Sequence, residues 1–371
     1  IFEDLIKDLG LGSDIIYSNK SSNKRYIIKG EKMVPVPNSF ISFLKTNLIS
    51  NLEKIRILKD LIVKKNTKDI SVEEFIVNRF GKGVHDNLFE PFLKGVYAGN
   101  TREMSAKYSL KNLWKLQLSY RSLIIGFLFS KKNKKSEIIY FKNGFNQLIE
   151  SIKNKLNGNI ECSNKIVSIE KKENYFLVRT DKKEKYICNK IYFTVPAYSL
   201  SIIKFIGLKL PNFNNVRYNP IDVIHLGFKR KNANDKIRGF GLLTRKVDNK
   251  NFLGVLFNSE IFPNVCSKKN HLITVLLGGD DQKDIVNFNE KEILENIKNE
   301  MKSIFNIKSF DFQKHFRWRK GIPSYSLDHA KLIKEIKDFN KKEPNLFFLG
   351  NYIGGVSVGD CILKSYNCIN N

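Results

Sequence analysis

The chain has 371 residues, 42% of them hydrophobic, which suffices for two or three cored domains and excludes a disordered polypeptide. Its net charge is +27, but the cations are 52 lysines against 12 arginines, so A/T-rich coding is a simpler cause than arginine forks built to grip phosphate and guanine. No nucleic-acid motif accompanies the charge, the five scattered histidines offer no metal site, and five widely spaced cysteines without CxxC read as free, mostly buried thiols in a reducing compartment.

In chain order, residues 1–20 read as the tail of a helix followed by a loop. KRYIIKGEKMVPVP, 24–37, predicts two strands about a glycine turn, the second bounded by proline. Residues 39–130 read as mainly helical, because apolar residues recur at three- and four-residue steps in SFISFLKTNLI and SVEEFIVNRFG. SVEE, 71–74, has the form of a capping box, with Ser71 as cap and Glu74 reaching back. The longest clear apolar run is SLIIGFLF, 122–129, between Arg121 and the pair Lys131 and Lys132. It reads either as a buried helix or as an interfacial one with snorkelling basic flanks. No run reaches the ~18 residues of a membrane span, no signal peptide is seen, and the chain opens on Ile1 rather than Met. KKNKK, 131–135, is a solvated charge run and a candidate boundary.

Beyond it the pattern changes. GFNQLIESIKNKL sets Phe145, Leu148, Ile149, Ile152 and Leu156 on one helical face. NKIVSIEKKENYFLVRT predicts two strands about a turn. KIYFTVPA is nearly all apolar, so a central strand is expected, stopping at Pro196. DVIHLGF, GFGLLT, FLGVLF and HLITVLLGG are β-rich, a helix is predicted near 289–304, and NLFFLG and VGDCILKSY read as a last strand and helix.

Between those last two elements lies GNYIGGVSVGDCI, 350–362, with four glycines and no lysine. Asp360 falls in the first helical turn, where a carboxylate suits the positive end of the dipole. A strand, glycine turn and helix start present bare N–H groups to an anion or an electron-rich ring edge, and missing side chains let a flat ligand touch the main chain. A plain tight turn is the other reading.

This stretch resembles the C-terminal flavin motif of the oxygen-dependent protoporphyrinogen oxidase family, within the flavin amine-oxidase superfamily. Other segments agree in the family's order: KRYIIKGEKMVPVP, NRFGKGVHDNLFEPFLKGVYAGNTREMSA, FKNGFNQLIESI, FTVPA, GFGLLTRK, LGVLFNS with IFP, LLGG, and GIPSY with DH. Together they cover nearly the whole chain. Family members begin with a strand, a GxGxxG turn and a helix that hold the FAD pyrophosphate. No GxGxxG occurs here and LGLG at 9–12 lacks the spacing, so the expectation is that roughly 70 N-terminal residues of the family pattern are absent from this sequence.

The resemblance implies an α/β (α+β) fold. It comprises a Rossmann-like FAD-binding domain lacking its first βαβ unit, a mixed-sheet substrate domain and a helical membrane-associating lobe. The implied boundaries are 1–24 for a remnant of the FAD-binding domain, 25–135 for the helical lobe, 136–203 for FAD binding, 204–340 for substrate binding and 341–371 for FAD binding again.

The activity implied is oxidation of protoporphyrinogen IX to protoporphyrin IX, with FAD as hydride acceptor and molecular oxygen reoxidising it. Arg25 matches the arginine that pairs with a substrate propionate, and Leu243, Leu256 and Leu276 match positions walling the macrocycle. Gly95 matches the catalytic glycine at the flavin–substrate junction. Val167 matches the strand residue whose backbone meets adenine, and Gly350 the residue approaching the pyrophosphate. Val356, Ser357, Val358 and Gly359 match the backbone along the flavin ring. Trp318 is a further cofactor candidate, or else a buried anchor. By pattern alone Arg25 is a solvent-facing edge arginine, the leucines are core and Gly95 is a turn glycine. The implied setting is peripheral, on the cytoplasmic side of a bacterial or organellar membrane, not secreted, with a homodimer as one assembly and no nucleic-acid partner. Other readings are coproporphyrinogen III oxidation, an amine oxidase or carotenoid desaturase on the same scaffold, and, from another class, a lysine-rich nucleic-acid-binding protein.

Overall fold

The apolar runs within 218–278 form strands of the largest sheet, buried along most of their length. In the computed structural model, which describes residues 1–370 except 131–136, 159 and 235, seven strands run in the order Phe312–Pro323, Tyr218–Lys229, Asn270–Gly278, Gly254–Leu256, Gly241–Leu243, Arg25–Lys29 and Lys32–Pro35. The KKNKK boundary, with Lys131 and Lys132, lies outside the described residues. This sheet belongs to a unit made of Ile16–Lys142 and Tyr218–Ile322; a second unit gathers Ile1–Ile15, Asn143–Arg217 and Pro323–Asn371.

The register gives the large sheet two distinct faces. His225, Thr274, Leu256, Gly241 and Arg25 form one cross-strand row, and Val223, Leu276, Gly254, Leu243 and Ile27 the next row on the same face. The residues between them, Ile224, Val275, Val255 and Leu242, point the other way. They pack against Ile293, Ile297, Met301 and Phe305 of helix Glu290–Phe305, the helix expected near 289–304. One face is thus sealed by a helix, and the other packs in part against Leu48, Leu88 and Ala98.

The helical part of this unit begins its helices on serine caps. Ser39, Ser50, Ser71, Ser105 and Ser122 each accept a first-turn N–H. Reciprocal boxes form at Ser39 with Ser42 and at Ser50 with Glu53. At Ser71 only half of the expected box forms: the hydroxyl accepts the Glu74 N–H while the Glu74 side chain stays exposed. A fully buried ion pair, Arg79 to Asp60 at 2.7 Å, ties the helices together. Arg79 also donates to Gln117 Oε1 at 3.0 Å, and Asp60 accepts from the Ser122 hydroxyl at 2.6 Å. Helix Leu123–Phe129 buries Leu123 and Gly126 but leaves Phe127, Leu128 and Phe129 exposed. The helix is thus only partly buried, unlike the fully buried helix that is one reading of its sequence.

The second unit holds a four-stranded sheet, Lys185–Cys188, Phe176–Thr180, Ile166–Lys171 and Lys204–Ile206, and a parallel pair, Leu346–Phe348 with Ile191–Phe193. KIYFTVPA therefore has one strand neighbour among the described residues, not the central position expected. Its aromatic residues stack on that neighbour instead, Tyr192 on Phe347 at 4.8 Å and Phe193 on Phe348 at 5.1 Å. On helix Asn146–Lys155 only Leu148 is fully buried; Ile149 and, just beyond its end, Leu156 are exposed. The cysteines are free as expected, but Cys162 is exposed and the other four are half-buried. Strand Phe312–Pro323 and helix His329–Lys342 had no counterpart in the sequence reading. The strand sits at a sheet edge and interleaves basic with aromatic residues, which masks its period.

Candidate functional site

The glycine stretch is a built turn. After Leu346–Phe348 the chain passes through Gly350, Gly354 and Gly355 at φ of 142°, 126° and 119°, where a Cβ is strained. A side chain at Gly355 would also lie 2.5 Å from the Asp360 side chain. The buried Tyr325 staples the turn: its hydroxyl accepts the Gly355 N–H at 2.6 Å and donates to the Asn351 carbonyl. Ser357 then caps helix Val358–Asn370, accepting the Asp360 N–H at 3.0 Å and donating to the Asp360 carboxylate at 2.7 Å. That leaves the N–H groups of Val358 and Gly359 as the outward donors of the helix start. The flank beside them is open: a Cβ on Gly359 would find nothing nearer than Ser357 Oγ at 3.9 Å.

In the larger unit the sheet face opposite that helix is partly covered by other helices and carries a cleft. The Arg25 guanidinium lies over the Phe240 ring, 4.8 Å from its centroid. Arg25, Phe240, Leu243, Leu256, Phe92 and Gly95 are among the residues that line a cavity of about 120 Å³. Gly95 lies within helix Glu90–Tyr97, not in a turn, and a Cβ there would fall 2.5 Å from Leu243 Cδ2. Its missing side chain lets helix and leucine meet. Leu276 is on the same face but packs against the buried cluster of Ala98, Ile221 and Leu253, outside the cavity lining.

The hairpin bearing Arg25 is locked by Arg245, which is itself buried. Arg245 donates to the Ile28 carbonyl at 3.1 Å, to Asn87 Oδ1 at 2.6 Å and to both oxygens of Asp248, and Asp248 accepts the Gly30 N–H at 2.9 Å. Burial alone would raise the Asp248 carboxyl, but the hydrogen bonds from Arg245 and Gly30 outweigh it and hold it below the usual carboxylate range. Farther along the row from Arg25, the Thr274 hydroxyl donates to Asn258 Oδ1 at 2.7 Å and stands 2.8 Å from His225 Nδ1. The hydroxyl proton is thereby used, so Nδ1 is the donor in this pair, and burial pushes the His225 imidazole's pKa down.

The sequence pattern of the flavin containing amine oxidoreductases matches residues 2–368. The chain belongs to the flavin-containing amine oxidoreductase family. It is 26% identical over 391 residues to the mitochondrial protoporphyrinogen oxidase of Nicotiana tabacum, spanning 94% of this chain and 78% of that protein. Its identity to the protoporphyrinogen oxidase of Dictyostelium discoideum is 28% over 443 residues, spanning 99% and 83%. A solved structure from Exiguobacterium sp. 255-15, 18% identical, has a TM-score of 0.84 over 100% of this chain and 84% of the other, which shows a shared fold.

This flavin amine oxidoreductase uses FAD. The turn at 350–359 fits a flavin by its own geometry, since it offers main-chain donors at a helix start, glycine in place of side chains and an open flank. GxGxxG is not among these residues, so the fit concerns the ring end of the cofactor. Arg25, Gly95, Leu243 and Leu256 are brought together in one cleft, with Leu276 beside it on the same face. Trp318 is on the strand Phe312–Pro323 of that unit and is 59% exposed, so it is not a buried anchor. Val167 belongs to the other unit, where the register shifts between Ile166 and Ser168 and leaves it in a bulge that frees its backbone. Sequence reasoning missed Tyr325, Phe240, Arg245 and the His225–Thr274–Asn258 chain. Tyr325 and Phe240 stand inside GIPSY and GFGLLT, but no local pattern marks their partners.

Proposed function

We propose that this oxidoreductase carries out FAD-dependent oxidation of protoporphyrinogen IX to protoporphyrin IX, with molecular oxygen as final acceptor, in porphyrin and heme biosynthesis. The observation that carries this reading is the cleft of the larger unit. A guanidinium laid on an aromatic ring at the rim of a leucine wall suits a flat, apolar molecule that bears a carboxylate. The names of the relatives agree with that chemistry.

In this reading Arg25 holds a propionate, Leu243, Leu256 and Leu276 wall the macrocycle, and Gly95 keeps the wall close to the reacting edge. The cavity of about 120 Å³ is smaller than the roughly 300 Å³ of a typical ligand pocket, so it takes the propionate end and not the whole ring. Val356, Ser357, Val358 and Gly359 lie along the flavin, with Gly350 towards the pyrophosphate, Val167 at adenine and Trp318 as an outer contact. The chemistry FAD supplies when bound is hydride acceptance. The chain orients the substrate and excludes water.

The helical segment 39–130 rests on a membrane surface, on the cytoplasmic side. Phe40, Ile41, Leu52, Leu128 and Phe129 are exposed there, and no described helix is long and apolar enough to cross a membrane. The decisive test offers the FAD-loaded protein protoporphyrinogen IX or coproporphyrinogen III and follows porphyrin fluorescence. Faster turnover of the first is expected. The second carries more carboxylates and would ask for more cations than Arg25 on this rim; its preference would reverse the assignment. Turnover of neither by flavin-bound protein would overturn the reading.

A further inference from the structure

The Arg25 cleft is too small for a macrocycle, so a ring anchored there must run out of it across the same sheet face. Leu243, Leu256 and Leu276 stand on successive strands away from Arg25, and the next strand, about 4.8 Å farther on, carries His225. Of the residues in the two rows of this face, His225 alone can take up a proton near neutral pH. Its ring is half-buried and held in one orientation. Nδ1 donates to the Thr274 hydroxyl at 2.8 Å, and that hydroxyl donates to Asn258 Oδ1 at 2.7 Å. Phe316 meets the ring edge-on, with centroids 5.8 Å apart. None of these neighbours is charged; the cation beside them is Lys314, whose ammonium lies 5.6 Å over the Phe316 ring. Nε2 has no hydrogen-bond partner among the described residues and is not a buried atom. Burial holds the imidazole below its ordinary pKa of 6.5, so at neutral pH Nε2 carries a free lone pair.

We infer that His225 Nε2 is the base that receives the proton the substrate gives up in each two-electron oxidation. The inference rests on the porphyrinogen reading. In such a step one bridging carbon loses a C–H bond, and its electron pair leaves as hydride to bound FAD. A neighbouring pyrrole then loses its N–H proton; the bonding pair stays on nitrogen, and the macrocycle gains one conjugated double bond. The proton forms a new N–H bond at Nε2, and the imidazolium so made passes it to water before the next step. The bridging carbons of a porphyrinogen are saturated, so its pyrroles tip and turn N–H groups out of the ring plane, towards the sheet. The Thr274–Asn258 chain suits this role, because it fixes the tautomer that leaves Nε2 bare and keeps an acceptor on Nδ1–H when the ring becomes charged.

The test compares the flavin-loaded protein with its His225→Asn variant, which keeps a donor for Thr274 but takes up no proton. With protoporphyrinogen IX the variant should keep its flavin, its Tm and its KM while kcat falls about a hundredfold, the scale of a lost general base. Wild-type kcat should fall as pH drops below 6.5, where the imidazole begins to be protonated, and the variant should lack that limb. A second readout needs neither flavin nor turnover. In the flavin-free chain, protoporphyrin IX should shift the His225 C2–H proton resonance by its ring current and leave that of His271, buried and facing the other side of the sheet, in place. Equal kcat in variant and wild type, or a His225 resonance that bound porphyrin does not move, would overturn the inference and leave the porphyrinogen reading standing. A variant that loses flavin or Tm in proportion to kcat would make His225 a structural residue and overturn it too. Absence of turnover by the flavin-bound wild type would overturn the porphyrinogen reading itself, and this inference with it.

Discussion

Arg25 shows what a single side chain contributes. Its fork is held flat by Phe240, and its strand by the Arg245 clamp, so little rotamer entropy remains to be lost when a carboxylate arrives. A charge-assisted contact of this kind is worth about 1.5–3 kcal/mol and changes little as the substrate reacts. Arg25→Ala should therefore raise KM more than it lowers kcat, with kcat/KM down about ten- to two-hundredfold in porphyrin-fluorescence assays. Arg25→Lys should recover only part, because a point charge lacks the planar fork. Flavin content should not change; its loss would mean that Arg25 supports the fold instead. Gly359 allows a cleaner test of the flavin edge. Gly359 and Gly12 both have ordinary φ and open space where a Cβ would go, so valine should be tolerated by the fold at either position. Gly359→Val should lose flavin absorbance while Gly12→Val retains it. Equal retention would separate the turn from the cofactor.

Two elements depend on one buried polar group each. The turn at 350–355 is held by the Tyr325 hydroxyl, which serves a donor and an acceptor at once. Tyr325→Phe keeps the ring and leaves those groups unpaired, at about 1–3 kcal/mol. The expected outcome is a lower Tm together with weaker flavin retention. A lower Tm alone would mean that the staple serves the fold and not the cofactor. In the helical part, Asp60 answers the fully buried Arg79. Removing one partner of such a pair strands the other, so Asp60→Ala should cost about 3–5 kcal/mol in urea unfolding. A change below about 1 kcal/mol would mean that water enters and solvates Arg79.

Over the molecule as a whole, the proposed membrane attachment draws on the charge of +27 and on the exposed apolar residues of 39–130 together. In that proposal lysines draw the protein to an anionic surface over a Debye length of about 8–10 Å, and the apolar side chains then hold it there. Flotation with phosphatidylglycerol vesicles should recover the protein at low salt and less of it at high salt. Leu128→Ser with Phe129→Ser should reduce recovery without changing Tm. Equal recovery with and without vesicles would remove the membrane reading. Steep salt-dependent binding to DNA of the same strength would revive the nucleic-acid alternative.

What the sequence determined by itself was local: the 24–37 hairpin, the helical run of 39–130 with its cap at Ser71, the glycine turn before the last helix, and the ordered segments that marked the family. Each depends on residues within a few positions of one another, through periodicity, capping and turn chemistry. It could not show that KIYFTVPA pairs with one neighbour, since an apolar run does not count its strands. Nor could it show Phe312–Pro323, whose edge position lets basic and aromatic residues alternate without a clear buried period. Tertiary structure alone decided that Gly95 meets Leu243, that Arg245 reaches back to Ile28, and that Tyr325 closes a turn thirty residues on. It also decided that Arg25, Leu256 and His225 share one row of one face. Such contacts join residues far apart in the chain, and their pairing is fixed by strand register and core packing, which no short stretch of sequence contains.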